Sequence, residues 1–258
     1  MIELREVSVR YGKNLIDALK NVTAVIPERS VSCVMGPNAS GKTTLLKAIA
    51  QLVDYKGIIE FDGRDARKIV KTLRRVLAYV SAVEVRDLLG VTVLDLLVYS
   101  RYPVSDKFLT SIKDVEESVK TAESMGIKHL LRRRVNELSS GELQKVLIAS
   151  AIVRSPEILL LDEPESHLDM RSKIWLSRFL KSMSDKITIV LSTHDPYFAS
   201  LTCDYLMLLS RGRLVFSGPL DQLLRNPGVL EEVYDTPFTT VEVGDYEVLI
   251  PLPFKPQG

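Results

Sequence analysis

The chain has 258 residues, of which 46% are hydrophobic and 26% are charged, and its formal net charge is +1. This balance is typical of a soluble globular protein, and so small a net charge indicates no surface for binding nucleic acid. No apolar run approaches the length of a membrane span, and we expect the N-terminal segment not to be a signal peptide. We therefore expect a cytoplasmic protein that works at a membrane only by docking on another protein.

The two cysteines, Cys33 and Cys203, lie far apart in the sequence and in apolar surroundings. We interpret them as small core residues, which fits a reducing compartment. Basic clusters at residues 74–75 and 132–134 are interpreted as solvated helix faces rather than as nucleic-acid contacts.

Apolar and polar residues alternate in the N-terminal part, at residues 2–9 and 22–26. Alternation with a period of two predicts strands of a partly antiparallel sheet. A continuous apolar run at residues 31–35 predicts a buried strand, and residues 57–63 predict a short strand that ends in a turn.

The segment after the buried strand, GPNASGKTT, carries the most specific pattern of the chain, and an apolar helical stretch follows it. Between a strand and a helix, this spacing predicts a loop whose backbone N–H groups surround phosphate oxygens. Lys42 would reach the outer phosphates, and the Thr43 hydroxyl would be a ligand of Mg²⁺. A glycine-rich turn that binds nothing is the alternative, and it does not explain the spacing. The predicted nucleotide-binding residues of the loop are Gly36, Pro37, Asn38, Ala39, Ser40, Gly41, Lys42, Thr43 and Thr44.

From about residue 92 the pattern becomes helical. The segments at residues 92–95 and 111–114 each place an aspartate three residues after a hydroxyl residue, which is typical of a helix start. An apolar stripe follows the second of them, formed by Ile112, Val115, Val119 and Ala122.

Apolar strand patterns return in the second half of the chain and alternate with helical stretches; they lie at residues 158–161, 187–191, 205–209 and 214–216. This alternation predicts an α/β core with a mostly parallel sheet and an N-terminal antiparallel β region. We expect a helical subdomain, at about residues 84–153, to be inserted into that core. Residues 239–250 alternate around Gly244-Asp245 and predict a hairpin within a C-terminal β tail at about residues 238–258.

Two acidic residues, Asp162 and Glu163, follow the predicted strand at residues 158–161. Because strands of open α/β sheets end at the ligand crevice, we expect Asp162 to hold Mg²⁺ through water. Glu163 would polarise the water that attacks the terminal phosphate. Two solvated loop acids are the alternative, and the buried strand before them argues against it. His194 ends another strand, and the residues alone leave open whether it contacts the terminal phosphate or is a structural histidine.

The chain resembles the ATP-binding subunit of ABC transporters over nearly its whole length. Residues 36–44 resemble the Walker A loop of that family, residues 158–164 its Walker B strand, and residues 138–142, LSSGE, its signature. Three further positions match in the same way: Asp169 in the D-loop SHLD, His194 as the switch histidine, and Tyr11 as the aromatic residue that stacks on adenine. The resemblance implies a P-loop NTPase fold of the ABC ATPase type, a single ATPase domain over residues 1–258, and hydrolysis of ATP with Mg²⁺.

The signature also has a physical interpretation, because Ser139 and Glu142 have the spacing of a capping box. Free N–H groups of Ser140 and Gly141 at a helix start form an anion site, although a simple helix cap is equally compatible with the residues. In the family this segment closes over the γ-phosphate that a partner subunit binds. The resemblance therefore implies a head-to-tail homodimer with two ATP molecules, peripheral on the cytoplasmic side of the cell membrane. It also implies integral membrane permease subunits and, indirectly, an extracytoplasmic solute-binding protein.

The chain departs from the family pattern at several positions. Ala39 and Ser140 stand where glycine is usual, and Glu165 stands where a small hydroxyl residue is common. The largest departure is Ala82, at the position of the Q-loop glutamine that normally touches Mg²⁺ and links ATP to the membrane subunit. We expect nucleotide binding to survive this change and coupling to the membrane partner to be weakened.

Within the family, residues 92–103, 166–169 and 214–219 are most similar to importers of chelated metals, namely iron–siderophore, haem and cobalamin. The alternative function is that of a soluble ABC ATPase, for example one of iron–sulfur cluster assembly. A repair clamp would need a long coiled coil between Walker A and signature, and a translation-type protein would need two cassettes. A pull-down for an integral membrane partner discriminates between the first two functions.

Overall fold

A computed structural model describes residues 1–12, 16–81, 90–105 and 111–253 of the chain. The N-terminal part forms an antiparallel sheet of β1 (Ile2–Tyr11), β2 (Ile16–Ile26), β4 (Lys56–Phe61) and β5 (Arg64–Asp65). The strand order is β2-β1-β4-β5. The predicted antiparallel region is therefore confirmed, although β2 begins earlier than the alternation at residues 22–26 indicated.

The central sheet consists of β3 (Val31–Met35), β6 (Leu77–Val80), β7 (Ile158–Asp162), β8 (Thr188–Thr193), β9 (Tyr205–Ser210) and β10 (Arg213–Pro219). Its order is β10-β9-β3-β8-β7-β6, and every neighbouring pair is parallel except β9 with β10. The prediction of a mostly parallel sheet is confirmed. Because β3, β7 and β8 are neighbours, the loops that follow them meet at one edge of the sheet.

The α-helices of the described residues cover this sheet and form the helical segment. They are α1 (Lys42–Ile49), α2 (Val70–Val76), α3 (Val93–Ser100), α4 (Ile112–Ser124), α5 (Ser140–Ile152), α6 (Met170–Ser184), α7 (Pro196–Thr202), α8 (Leu220–Arg225) and α9 (Gly228–Tyr234). In the part of the chain that the structure describes, no helix is both long and apolar enough to cross a membrane.

The central sheet separates two hydrophobic cores, because successive residues of each strand point to opposite faces. In β8, Ile189 and Leu191 belong to one core, which also contains residues of α5, α6 and α7. Val190 belongs to the other core, together with residues of α1 and of the antiparallel sheet. Burial on both faces explains why these strands are continuous apolar runs in the sequence.

Helices α3 and α4 begin at the predicted capping boxes, residues 92–95 and 111–114. In each box the hydroxyl side chain and the aspartate satisfy one another's backbone N–H groups, a contribution of about 1 kcal/mol per cap. The predicted apolar stripe of α4 is wrong at Ile112, whose side chain is 80% exposed. The buried residues of α4 are Asp114, Ser118 and Ala122, which share one face at a spacing of four residues. Ile112 lies two residues before Asp114 and therefore on the opposite side of the helix.

A buried ion pair joins the helices of this segment. Nε of Arg101, after α3, donates to Oδ1 of Asp114 in α4 at 2.8 Å, and its Nη1 donates to the carbonyl oxygen of Val153 after α5 at 2.6 Å. Hydrogen bonds from Ser111 and Arg101 hold the pKa of the Asp114 carboxyl well below its usual range. The buried carboxylate is therefore charged and fully paired, and removing either partner would leave an uncompensated charge.

The two cysteines are not separate core residues. Cys33 and Cys203 form a disulfide with their Cα atoms 5.8 Å apart, and both residues are buried. The prediction of two separate cysteines was wrong because β3 and β9 are adjacent in the sheet. This adjacency brings Cys203, which precedes β9, next to Cys33 in β3. Burial in an apolar environment was predicted correctly, but the argument for a reducing compartment loses its basis.

The described tail is a hairpin of β11 (Phe238–Val243) and β12 (Tyr246–Pro251), which packs against α7 and confirms the predicted turn. The helices α3, α4 and α5 fall inside the range expected for the inserted subdomain. Ala82, where the resemblance places the missing glutamine, lies outside the described residues.

Candidate functional site

The phosphate loop connects the end of β3 to α1, and two of its residues must be glycine. A Cβ on Gly36 would lie 2.2 Å from the carbonyl oxygen of Leu209. Gly41 precedes α1 with a φ of 108°, and a Cβ there would lie 2.7 Å from the carbonyl oxygen of Ala18. The loop can therefore adopt its curled backbone only with glycine at both positions. It also directs the positive N-terminal end of α1 toward the space that the loop encloses.

Lys42 is the first residue of α1, and only 5% of its side chain is exposed. Its Nζ donates to the carbonyl oxygens of Gly36 at 2.9 Å and Pro37 at 3.1 Å, and lies 3.4 Å from Oε1 of Glu163. The ammonium is thus held inside the loop by oxygen atoms. Phosphate oxygens offer the same contact with more charge, so a bound phosphate can compete for Lys42.

The other residues of the loop differ in exposure: Asn38 and Ala39 are exposed, Pro37 and Thr44 are half-buried, and Ser40 is buried. Oγ of Ser40 has no hydrogen-bond partner among the described residues, which leaves a donor available to an anion. Ala39 has a φ of 61°, in the left-handed region. Alanine there costs about 1 kcal/mol, which gives a physical reason for the glycine that is usual at this position.

Asp162, the last residue of β7, is the centre of a hydroxyl cluster. Its Oδ1 accepts hydrogen bonds from Oγ1 of Thr43 at 2.9 Å and from Oγ of Ser192 at 2.6 Å, and its Oδ2 accepts one from the Tyr79 hydroxyl at 3.3 Å. Burial, and then the charge of Asp162, raise the pKa of the Tyr79 hydroxyl well above its usual range. The phenol is therefore a hydrogen-bond donor at any physiological pH.

Sequence reasoning missed Ser192 and Tyr79. Asp162 pairs with Ser192 in the register of β7 and β8, and Tyr79 lies on β6, the other neighbour of β7. Both are polar residues near the carboxyl end of a buried strand, which is visible in the sequence. This pattern predicts a contact with Asp162 only when the order of the strands in the sheet is known.

Glu163 follows Asp162 and lies between two basic groups. Its Oε1 is 3.4 Å from Nζ of Lys42, and its Oε2 is 3.4 Å from Nδ1 of His194. Its backbone N–H donates to Oγ of Ser192 at 2.9 Å, and its φ of 47° is in the left-handed region. The side chains of Glu163 and His194 are partly exposed, at 31% and 48%. A carboxylate held next to solvent in this way can accept a proton from water.

The donor set around Asp162 suits Mg²⁺, because a carboxylate and a threonine hydroxyl are hard oxygen ligands. In the described residues no group of three or more His, Cys, Asp or Glu side chains could hold a metal ion. Thr43 and Asp162 would therefore hold Mg²⁺ only together with phosphate oxygens and water, as is usual for this ion. Bound there, Mg²⁺ would neutralise charge on the phosphates.

The signature segment forms the start of α5. Ser139 caps the helix, accepting from the N–H of Glu142, while Oε2 of Glu142 accepts from the N–H of Ser139 at 2.9 Å and from its hydroxyl at 2.8 Å. These bonds, the backbone one first, hold the pKa of the Glu142 carboxyl below its usual value. Ser139 and Ser140 are exposed and Gly141 is half-buried, so the helix start faces solvent.

Asp169 and Tyr11 are the remaining two site candidates. Asp169 caps α6, where its Oδ1 accepts from the N–H of Ser172 at 2.7 Å, and this hydrogen bond lowers the pKa of the Asp169 carboxyl. A Cβ on Gly141 would lie 2.9 Å from Oγ of Ser172, so the D-loop helix packs beside the signature. Tyr11 ends β1, is 40% exposed, and lines a cavity with Arg67 among its neighbours.

The structure thus brings together the phosphate loop, Asp162, Glu163 and His194 at one edge of the central sheet. It does not bring the signature to them. Among the described residues, no hydrogen bond or ion pair joins residues 139–142 to residues 36–44. One chain therefore contains the loop predicted to bind phosphate and a separate, solvent-facing helix start.

Residues 19–166, more than half of the chain, match the family described as ABC transporter. The petrobactin import ATP-binding protein of Bacillus subtilis (strain 168) is 30% identical over 252 residues, which are 94% of this chain and 96% of that protein. The phosphate import ATP-binding protein PstB of Thermotoga maritima is 30% identical over 246 residues, 88% of this chain and 93% of that protein.

Among solved structures, a dimeric ATP-binding cassette in a post-hydrolysis state, bound to ADP and Pi, matches with a TM-score of 0.74 at 25% identity. The match covers 85% of this chain and 99% of that one. Fold, family match and relatives agree with the ABC ATPase resemblance. The chain belongs to the ABC transporter family as an ATP-binding subunit of the importer type, and it is an ATPase.

Proposed function

We propose that this subunit energises the import of a chelated metal, such as an iron–siderophore, haem or cobalamin complex, as a homodimer that encloses two Mg²⁺–ATP. The observation that carries the dimer is the separation of the two half-sites. The phosphate loop and Glu163 lie at one place, while the capped start of α5 faces solvent elsewhere. The first N–H groups of a helix have no acceptor within the helix. A helix start is an anion site, so a second subunit arranged head to tail would bring it to the terminal phosphate.

The proposed roles follow from the contacts of each residue. Lys42 and the loop N–H groups bind the phosphates, and Tyr11 stacks on the adenine ring. Thr43 and Asp162 hold Mg²⁺, and Glu163 accepts a proton from the attacking water while His194 faces the terminal phosphate. Asp169, beside the signature, would contact the partner subunit.

A surface groove supports docking to a membrane permease. It has a volume of about 640 Å³. Its lining combines apolar and aromatic residues, among them Leu52, which is 59% exposed, and Tyr102, which is 60% exposed, with the basic residues Lys71, Arg74, Arg75 and Arg154. Tyr79 also lines it, and the hydroxyl of Tyr79 contacts Asp162. A cytoplasmic segment of a permease in this groove would therefore lie one side chain away from the metal site.

The substrate class rests on weaker support. The petrobactin relative and the residues of the helical segment favour a chelated metal, whereas the phosphate relative is equally identical over a slightly shorter part of the chain. The sites described here are proposed to bind nucleotide and not the transported solute. The identity of the permease therefore decides the substrate class.

The test starts from the tagged subunit in membranes of its own cell, extracted in mild detergent. We expect an integral membrane permease to copurify. In liposomes, its loaded binding protein should stimulate ATP hydrolysis with a ferric chelate and not with phosphate. Leu52→Glu should weaken the complex, and Val25→Glu, at an exposed position of β2, is the matched control. Stimulation by phosphate alone would contradict the substrate class. Absence of any integral membrane partner would contradict transport and favour a soluble ABC ATPase.

A further inference from the structure

Glu165 is a buried acid that the site described above does not use. Its side chain is 1% exposed, Oε1 accepts a hydrogen bond from the hydroxyl of Thr193, and Oε2 has no partner among the described residues. A buried carboxyl with one unpaired oxygen is costly. Since a small hydroxyl residue is common here in the family, the fold itself does not require an acid at this position.

The contact joins the two turns that carry Glu163 and His194. The hydroxyl of Thr193 also accepts the backbone N–H of Asp195 at 3.0 Å, which directs the hydroxyl proton toward Glu165. Thr193 and Asp195 flank His194 on both sides, and Glu165 is two residues from Glu163. The hydrogen bonds therefore connect one turn to the other directly behind the 3.4 Å contact between His194 and Glu163.

We propose that Glu165 is a positioning residue for ATP hydrolysis, which acts through Thr193 to hold the turn of His194 at its working distance from Glu163. The proposal rests on the roles proposed above for Glu163 and His194. Because Glu165 is 1% exposed and accepts its hydrogen bond from Thr193, it is placed to act through that residue. Its effect should therefore appear in the rate of hydrolysis and not in the binding of ATP.

The surroundings of Glu165 make its charge state part of this function. Burial raises the pKa of Glu165 to about 7, and the negative charges of Asp195 and Glu163 act in the same direction. Asp195 forms an ion pair with Lys173 of α6, which donates to it at 2.7 Å. Burial and, to a smaller extent, the charge of Asp195 raise the pKa of Tyr234 in α9. His194, on the same turn as Thr193, is a further titratable neighbour.

The carboxyl is therefore neutral below about pH 7 and charged above it. The hydrogen bond from Thr193 favours the charged form, but burial and the charges of Asp195 and Glu163 outweigh it. A charged Glu165 therefore favours rearrangements that expose its carboxylate to water, and these would break the link between the two turns. The rate of ATP hydrolysis by the wild-type protein should therefore fall above neutral pH. Glu165→Gln should lack this contribution to the pH dependence, because its amide does not titrate.

The experiment measures kcat and KM for ATP from about pH 6 to about pH 8.5 in the wild type and in Glu165→Gln. We expect the ratio of kcat, variant over wild type, to rise at least about fivefold across this range while KM changes little. Thr193→Val should lower kcat at pH 7 with unchanged ATP affinity, and Thr193→Ser should restore it. Glu232→Gln, at an exposed position of α9, controls for the loss of a carboxylate.

Superimposable pH profiles of the wild type and Glu165→Gln, or full activity of Thr193→Val, would overturn the proposal. Glu163→Gln is measured in parallel. If that variant hydrolyses ATP at the wild-type rate, the proposed role of Glu163 is wrong. This result would be distinguishable from a failure of the proposal for Glu165, which is judged by the pH profiles. A low kcat together with an equally large loss of ATP affinity in Thr193→Val would mean that this link only supports the local fold.

Discussion

The buried carboxyl of Glu165 should make the stability of the protein depend on pH, and Glu165→Gln should remove that dependence. The amide has the same shape and can still accept the hydrogen bond of Thr193, but it does not titrate. In the folded protein the pKa of Glu165 is raised from 4.5 to about 7. The folded state therefore holds a proton between these values that the unfolded state has released, and stability falls as pH rises through this window.

The magnitude follows from the same numbers. A tenfold difference in proton affinity corresponds to about 1.4 kcal/mol, so the full effect is about 3 kcal/mol, of which about 2.5 kcal/mol lies between pH 5 and pH 8. Relative to Glu165→Gln, the wild type should lose this amount of unfolding free energy over that interval. Because the side chain is almost fully buried, no large screening correction applies.

Urea unfolding of both proteins at about pH 5 and about pH 8, followed by circular dichroism, measures the difference. The comparison between variants cancels the titration of all other groups. Glu232→Gln should track the wild type at both pH values. A gap between the wild type and Glu165→Gln that stays constant within about 0.5 kcal/mol would refute the reasoning, because the carboxyl would then titrate alike in the folded and unfolded protein.

Other changes should have distinct outcomes. Lys42→Ala removes a charged donor and should weaken ATP binding by at least about tenfold in calorimetry, and unchanged affinity would contradict the phosphate site. Ser192→Ala removes the hydroxyl shared by Asp162 and the backbone of Glu163, so single-turnover hydrolysis should slow by about tenfold or more with little change in ATP affinity. Ala39→Gly relieves a left-handed alanine and should raise the free energy of unfolding by up to about 1 kcal/mol, whereas a loss in urea titrations would count against strain there. Ala82→Gln should raise permease-stimulated hydrolysis more than basal hydrolysis, and equal effects would contradict weakened coupling.

Local features were the easiest to predict from the sequence. The phosphate loop was evident because Gly36 and Gly41 are needed for reasons that act within a few residues, namely close backbone contacts and a left-handed conformation. The capping boxes at residues 92–95 and 111–114 were predictable for the same reason, since a cap involves one turn of chain.

Features that depend on contacts between distant segments were not predictable. The pairing of Asp162 with Ser192 and Tyr79 requires the strand order β6-β7-β8, and the disulfide of Cys33 and Cys203 requires β3 and β9 to be neighbours. The sequence contains apolar runs for all of these strands but nothing that orders them. Periodicity placed Ile112 on the buried face of α4, but that face passes through Asp114 and Ser118, two polar residues that hydrophobic periodicity cannot assign to a core.

The central claim is that two subunits share each ATP, and ATP-dependent dimerisation of Glu163→Gln tests it most directly. This variant keeps the shape of the site while removing the base, so bound ATP should persist. Analytical ultracentrifugation with ATP and Mg²⁺ should show a dimer for Glu163→Gln and a monomer for the double variant Glu163→Gln, Ser139→Arg, which still binds ATP. A monomeric Glu163→Gln, or a dimer that forms equally well with arginine at residue 139, would contradict the account.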